Sequence, residues 1–217
     1  MKFTAYITVR LNSKRVPQKS IKTLNGDPLV NICVDKVSGI SEISDTLLYC
    51  SDESIVDYIN PILDYTFLKR DTTFDGDYVT FNDILDSVID EIDTDYIVFF
   101  SVTSPFVKQS TIVDMIEKVK SNQYDSAFLA YEVNNFSWYD GSPLNYSMSS
   151  DVSRTQDLKP IIVENSGLYI FSKNMYKKHK RRIGFNPYIK IVDMLEAWDI
   201  DTPSDFKIAK HLANDKN

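Results

Sequence analysis

Scarcity sets the first limits on this chain of 217 residues. It has two cysteines, Cys33 and Cys50, with no CxxC spacing, and two histidines, His179 and His211. That supply excludes a disulfide framework and the common zinc spacings, and nothing around either histidine resembles a Ser-His-Asp set. One thiol falls in an apolar helix-like stretch and the other at a strand end, which suits buried, idle groups in a reducing compartment. GxxxxGK[ST] and GxGxxG are both absent, which argues against an NTP-driven motor and a dinucleotide oxidoreductase. The longest apolar runs, such as YIVFFSV at residues 96–102, fall well short of the ~20 residues that cross a bilayer, and the N-terminus lacks a signal-peptide pattern. A cytoplasmic protein without a membrane partner is expected. A formal net charge of -7 argues against general nucleic-acid binding, which needs a basic surface to offset phosphate charge.

What is present is a globular composition, 43% hydrophobic and 25% charged, enough to bury one core across a single domain spanning 1–217. Strand and helix patterns alternate. Phe3, Ala5, Ile7 and Val9 predict a half-buried strand over 3–9. An apolar-periodic helix follows at 29–38, then strand TLLYCS up to Asp52, a helix at 53–63, a short strand at 65–68 and a helix at 77–92. YIVFFSV reads as a central parallel strand apolar on both faces, followed by a helix at 110–121 and a strand at 125–132. GLYIFS from Gly167 is another strand. A strand-like run then leads into Trp198, and a helix starts at Pro203, with Thr202 or Asp201 as its cap. The alternation predicts an α/β fold with a mostly parallel sheet. Residues 133–160 interrupt it and are too long for an ordinary connection. They read as an inserted β-rich arm whose Phe136, Trp138, Tyr139 and Tyr146 offer apolar surface to a partner, a two-fold dimer being the economical outcome.

Two features carry chemistry. The first strand runs into a loop with Arg10, Lys14, Arg15 and Lys19, against the acidic trend of the chain. Ligands of open α/β sheets bind beyond the carboxyl ends of the strands, so the loop is either a polyphosphate cradle or a solvated basic turn. Near the other end, Asp199 and Asp201 alternate on an extended segment, which aims both carboxylates to one face. Such a pair can hold Mg²⁺ together with nucleotide phosphates, or supply a helix cap and a solvated charge. Together the two features form complementary halves of a polyphosphate–metal site.

Four segments in order, VRLNSKRVPQKSI from Val9, SVTSPF from Ser101, ENSGLYIF from Glu164 and DIDTPSDF from Asp199, resemble the acylneuraminate cytidylyltransferase family and, less closely, the cytidylyltransferases for 3-deoxy-manno-octulosonate. The family's first loop, ARxxSKRxPxKN, matches Arg10, Ser13, Lys14, Arg15, Pro17 and Lys19. The resemblance implies a Rossmann-like α/β nucleotidyltransferase domain with a dimerisation arm at 133–160, taking CTP and an acidic sugar, a sialic or related nonulosonic acid, as substrates. It implies that Arg10 and Lys19 act on the triphosphate, that Leu11, Asn12, Ser13 and Lys14 line the nucleotide loop, and that Arg70 and Asp77 lie near the cytidine and sugar pockets. Asp199 and Asp201 would hold Mg²⁺. Ser101, Thr103, Ser104, Arg154, Glu164 and Asn165 would face the acceptor. The chain departs from the family at Ser101, where a glutamine is usual, at Val107, where an arginine is common, at Ser20, and at Ser166-Gly167 in place of Gly-Ala. A different acceptor, such as a 3-deoxy-manno-octulosonate-like acid or a phosphonate, is one rival reading. A catalytically silent nucleotide-binding scaffold is another. A receiver-type signalling domain would need an acidic cluster after the first strand, where this chain is basic.

Overall fold

The structure is a computed structural model and describes residues 1–148, 151 and 154–214. Strand β1 (Phe3–Val9) is buried on both faces, since Thr4 and Tyr6 are as inaccessible as Ala5, Ile7 and Val9. Its alternation therefore separates two packed layers, not core from solvent as the sequence pattern suggests. The basic loop follows, with a 3₁₀ turn at Lys19–Ile21. Strands β2 (Thr23–Leu24) and β3 (Asp27–Pro28) form a hairpin about Asn25 and Gly26, both at positive φ, as a tight primed turn requires. Helix α1 (Leu29–Ser38) and strands β4 (Ile43–Cys50) and β5 (Thr66–Lys69) complete the first half.

Helix α2 (Phe81–Asp86), strand β6 (Tyr96–Phe100), helix α3 (Gln109–Lys120) and strand β7 (Ser126–Val133) come next. A small hairpin, β8 (Trp138–Tyr139) with β9 (Ser142–Pro143), precedes the long strand β10 (Ile161–Ser172). Helix α4 (Lys173–His179), strand β11 (Pro187–Ile191) and helix α5 (Pro203–Asn214) close the described chain.

Seven strands make one sheet in the order β11-β7-β10-β6-β1-β4-β5. Every pairing is parallel except those of β10, which runs antiparallel to both β6 and β7. On one face Val30, Val34 and Val37 of α1 and Ile112, Met115 and Ile116 of α3 pack on Ile7, Val98, Phe100 and Leu129. On the other, Leu85 of α2 and Tyr176 of α4 pack on Tyr6, Phe99, Tyr169 and Phe171. The three layers match the expected α/β class. A third cluster joins Phe206 and Ala209 of α5 to Leu24, Leu29, Phe106 and Ile200.

Several local expectations need correction. The helix expected at 53–63 is a 3₁₀ turn, Glu53–Tyr58, begun by Asp52 accepting from the Ser54 amide at 3.0 Å. The helix expected at 77–92 spans only Phe81–Asp86, fixed at its start by a Thr80/Asp83 capping box, and hydrogen-bonded turns carry Val88, Ile89 and Ile92 into the core instead. β10 begins six residues before Gly167, and β11 stops at Ile191, leaving hydrogen-bonded turns before Trp198. Helix α4, in the Lys-rich stretch, and the β2–β3 hairpin have no counterpart in the sequence reading. Both cysteines are buried, and burial raises their thiol pKa values, which suits inert groups. Both histidines are exposed. No helix among the described residues is long and apolar enough to cross a membrane.

Candidate functional site

Because β10 alone is reversed in the main sheet, the carboxyl ends of β1, β4, β6 and β7 and the first residues of β10 share one edge. The chain crosses from β1 to β4 on one side and reaches β6 on the other, so the strand order switches direction between β1 and β6. Such a switch opens a crevice at the carboxyl edge. A hollow of about 170 Å³ lies there, lined by Thr8, Val9, the basic loop and residues 101–103.

Four cations, Arg10, Lys14, Arg15 and Lys19, stand in its wall, with Ser13, Ser20, Ser101 and Thr103 as neutral donors. The strand end that feeds the loop is braced from below. Arg70, 2% exposed, donates to Thr8 Oγ1 at 2.7 Å and to the Val9 carbonyl at 2.9 Å, and pairs with Asp75 at 2.7 Å. The structure thus puts Arg70 behind the hollow rather than in its wall. Lys14 pairs with Asp77, and this contact, ahead of the wider field of Lys14 and Arg10, holds the exposed Asp77 carboxyl below the usual range. Leu11 and Asn12 face a separate polar groove shared with Asp52, Lys69 and Thr72.

Several contacts hold the two aspartates at this edge. The Ile200 amide donates to the Thr103 carbonyl at 2.9 Å, and Ile200 is buried against α5, so Asp199 and Asp201 remain half-exposed on either side of it. Asp205, at the start of α5, accepts from the amides of Asp201 at 3.0 Å and Thr202 at 2.7 Å, while Thr202 Oγ1 accepts from the Asp205 amide. Thr202 is therefore the cap, and Asp201 is left for other partners. Lys19 Nζ donates to the Ile200 carbonyl at 2.7 Å and approaches Asp201 Oδ1 at 3.4 Å, with Arg15 on the same oxygen at 3.0 Å. Asp199 accepts from Ser166 Oγ at 3.0 Å and Ser104 Oγ at 3.5 Å.

A second hollow, about 320 Å³, adjoins on the β10 side, lined by Tyr131, Glu164, Asn165, Ser166, Met194, Trp198, Asp199 and Asp205, among others. Asn165 is nearly buried. Its amide donates to the Ala197 carbonyl at 2.6 Å and its Oδ1 accepts from Gly167 N at 2.8 Å, so it ties β10 to the aspartate segment. Glu164 accepts from the Tyr169 hydroxyl, whose pKa is raised by burial and by this bond, and from Arg182 at 3.5 Å. Gly167 has no room for a side chain, since a Cβ would meet Ser104 and Asn165.

The sequence-derived candidates therefore divide. Arg10, Ser13, Lys14, Lys19, Ser101 and Thr103 meet in the first hollow, and Glu164, Asn165 and Asp199 in the second, with Asp201 linked to the first through Lys19. Ser101 and Thr103, expected on the acceptor side, lie with the cations, and Ser104 is buried beneath Asp199. Val107 belongs to the core. Arg154, paired with Asp157 at 2.7 Å, lies outside both hollows, and the neighbouring residues 152 and 153 are outside the described residues. Arg15, read from the sequence as a loop cation without a specific contact, stands in the wall of the first hollow, whereas Tyr131, Trp198 and Asp205 join the second only through tertiary packing, which no local sequence signal reports.

Among the described residues no three His, Cys, Asp or Glu side chains group to hold a metal. Asp199, beside the hydroxyls of Ser104 and Ser166, and Asp201 offer only oxygen donors, the ligand type that suits a hard cation.

Solved structures share the architecture. CMP:2-keto-3-deoxy-manno-octonic acid synthetase complexed with CTP superposes over 100% of both chains with a TM-score of 0.72 at 11% identity. The 4-diphosphocytidyl-2C-methyl-D-erythritol synthase of Anaerococcus prevotii reaches 0.70 at 13% identity, covering 98% of this chain and 96% of its own. In sequence, the N-acylneuraminate cytidylyltransferase of Streptococcus agalactiae serotype V is 26% identical over 95% of this chain, which spans 52% of that relative's length. The pseudaminic acid cytidylyltransferase of Campylobacter jejuni is 21% identical, over 98% of this chain and 96% of its own. The cytidylyltransferase family model matches residues 4–216, from the first strand of the sheet past the final helix, and the chain belongs to that family.

Proposed function

We propose that this chain is a Mg²⁺-dependent cytidylyltransferase that joins CMP, taken from CTP, to an acidic sugar. The observation that carries the reading is the juxtaposition at the sheet's switch point of a four-cation hollow with a carboxylate segment tethered to its rim. A sugar hydroxyl oxygen attacks the α-phosphorus, the bond from that phosphorus to the bridging oxygen of the β-phosphate breaks, pyrophosphate leaves, and the hydroxyl proton passes to solvent. The work is positioning and charge neutralisation. Arg10 and Lys19 balance charge on the phosphates, Ser13 and Lys14 line the nucleotide loop, and Arg70 fixes the end of β1 that leads into it. Asp199 and Asp201 would hold the Mg²⁺, which when bound would supply further charge neutralisation on the phosphates.

The acceptor occupies the second hollow against Tyr131, Glu164, Asn165 and Trp198, and a sialic or related nonulosonic acid is favoured by the names of the relatives in sequence. The 133–160 arm forms a two-fold dimer, which brings Arg154 to the acceptor site of the partner subunit, where its planar fork can grip a carboxylate. Pyrophosphate release, measured with each of the four NTPs against a panel of sugar acids, tests the reading. CTP-selective release that requires both Mg²⁺ and an acidic sugar is expected. Release with no nucleotide preference, or none with any sugar acid, overturns it.

A further inference from the structure

Asp201 is the more heavily guarded of the two carboxylates. Its Oδ1 faces Arg15 at 3.0 Å and Lys19 at 3.4 Å, two cations on one oxygen. Asp199, in contrast, is held by the neutral hydroxyls of Ser104 and Ser166. The two guards differ in freedom. The Lys19 side chain is 13% exposed and also anchored on the Ile200 carbonyl, whereas that of Arg15 is 68% exposed and is held at its tip by Asp201. A divalent cation arriving alone at Asp201 meets an oxygen already neutralised by two positive groups. A polyphosphate entering the cationic hollow changes the balance. Arg15 lies in the hollow's wall, and a phosphate offers a guanidinium two parallel charge-assisted bonds in place of one contact to a carboxylate oxygen.

We propose that Arg15 is an exchange latch on Asp201: it occupies the carboxylate while the hollow is empty of nucleotide and transfers to the incoming triphosphate, so that the metal joins Asp201 with the nucleotide and not before it. The inference rests on the nucleotide reading of the hollow. It explains why the loop has one cation more than the two assigned to the phosphates and the one that pairs with Asp77. It also assigns Arg15 a positioning role, acting on the site through Asp201.

The test is Mn²⁺ binding, followed by the electron paramagnetic resonance of the free ion, in wild type, Arg15→Gln, Asp201→Asn and the double variant, all without nucleotide. Arg15→Gln should tighten Mn²⁺ binding about 5-fold, the scale of one exposed ion pair. That gain should vanish in the Asp201→Asn background. With a non-hydrolysable CTP analogue at saturation, wild type and Arg15→Gln should bind Mn²⁺ alike. Equal affinity of wild type and Arg15→Gln without nucleotide sinks the latch, as does a gain that survives Asp201→Asn. Calorimetric titration of the wild type with CTP is read separately. A protein that binds no CTP loses the nucleotide reading, while the nucleotide-free comparison still decides whether Arg15 restrains Asp201. Arg15 is exposed, so thermal melts of its variant should match the wild type.

Discussion

At the scale of single residues, the cations in the wall of the first hollow and the polar groups behind it do different work. Arg10, Lys14, Arg15 and Lys19 read as one cationic loop because residue type fixes their charge, and all four line one hollow. Arg70 and Asn165 are equally polar, yet Arg70 braces β1 and Asn165 ties β10 to the 197–199 stretch, roles that depend on chain segments far away in sequence. Asp201→Ala should abolish Mg²⁺-dependent turnover with the fold intact, through loss of several kcal/mol of transition-state stabilisation. Pyrophosphate release at saturating Mg²⁺ alongside circular dichroism checks this, and near-normal activity would refute the assignment. Lys19→Ala and Arg10→Ala should each lower kcat/KM for CTP by roughly 10-fold to 1000-fold. Unchanged kinetics in both would reduce the loop to a solvated turn. Gly167→Ala drives a methyl into Ser104 and Asn165 and should cost about 1–3 kcal/mol in a urea titration. A midpoint equal to wild type would mean that the close packing there relaxes freely.

At the scale of elements, strands were easier to find than helix lengths. Strand runs such as 96–100 are continuous apolar stretches and nearly announce themselves. The 77–92 stretch has helical periodicity, yet the regular helix covers six residues, because the following turns already bring Val88, Ile89 and Ile92 onto the sheet. Apolar spacing reports which side is buried, and a chain of turns can meet the same demand. The start of α3 supplies a prediction. Glu196, nearly buried, accepts from Thr111 Oγ1 at 2.5 Å and from the Lys108 amide at 3.1 Å, and pairs with Lys108 Nζ at 2.8 Å. Burial alone would push its carboxyl up, but the contacts with Lys108 and Thr111 outweigh it and hold the pKa below the usual range. A depressed carboxyl adds stability above the unfolded value, about 4.3, and loses it as pH falls through the folded one. Glu196→Gln should therefore lower Tm near pH 7, with the gap to wild type closing below about pH 4. A gap independent of pH would show that the charge plays no part.

At the scale of the whole molecule, the proposed dimer rests on the 133–160 arm. Among its described residues it has two strands of two residues each, with Phe136 and Trp138 stacked edge-on against Tyr146. That cluster accounts for the inner faces of the aromatics. Trp138 at 52%, Tyr139 at 73% and Leu144 at 54% remain exposed, which is costly for a free monomer and sensible for a two-fold interface. Multi-angle light scattering at micromolar concentration should give twice the chain mass, and Trp138→Asp should return monomers. A wild type that is monomeric under those conditions would remove the dimer and the shared role of Arg154.

The reversed strand β10 also has a consequence for synthesis. It lies between β6 and β7, so before residues 161–172 emerge the chain can form only two sheet fragments, β6-β1-β4-β5 and a lone β7, each with an open edge. Asp199 and Asp201 emerge later still, after the sheet that must receive them has closed. A growing chain therefore assembles its basic loop early and its acidic half last, and a ribosome stalled near residue 160 should display a protease-sensitive, edge-exposed intermediate with the cations in place and no carboxylates to meet them.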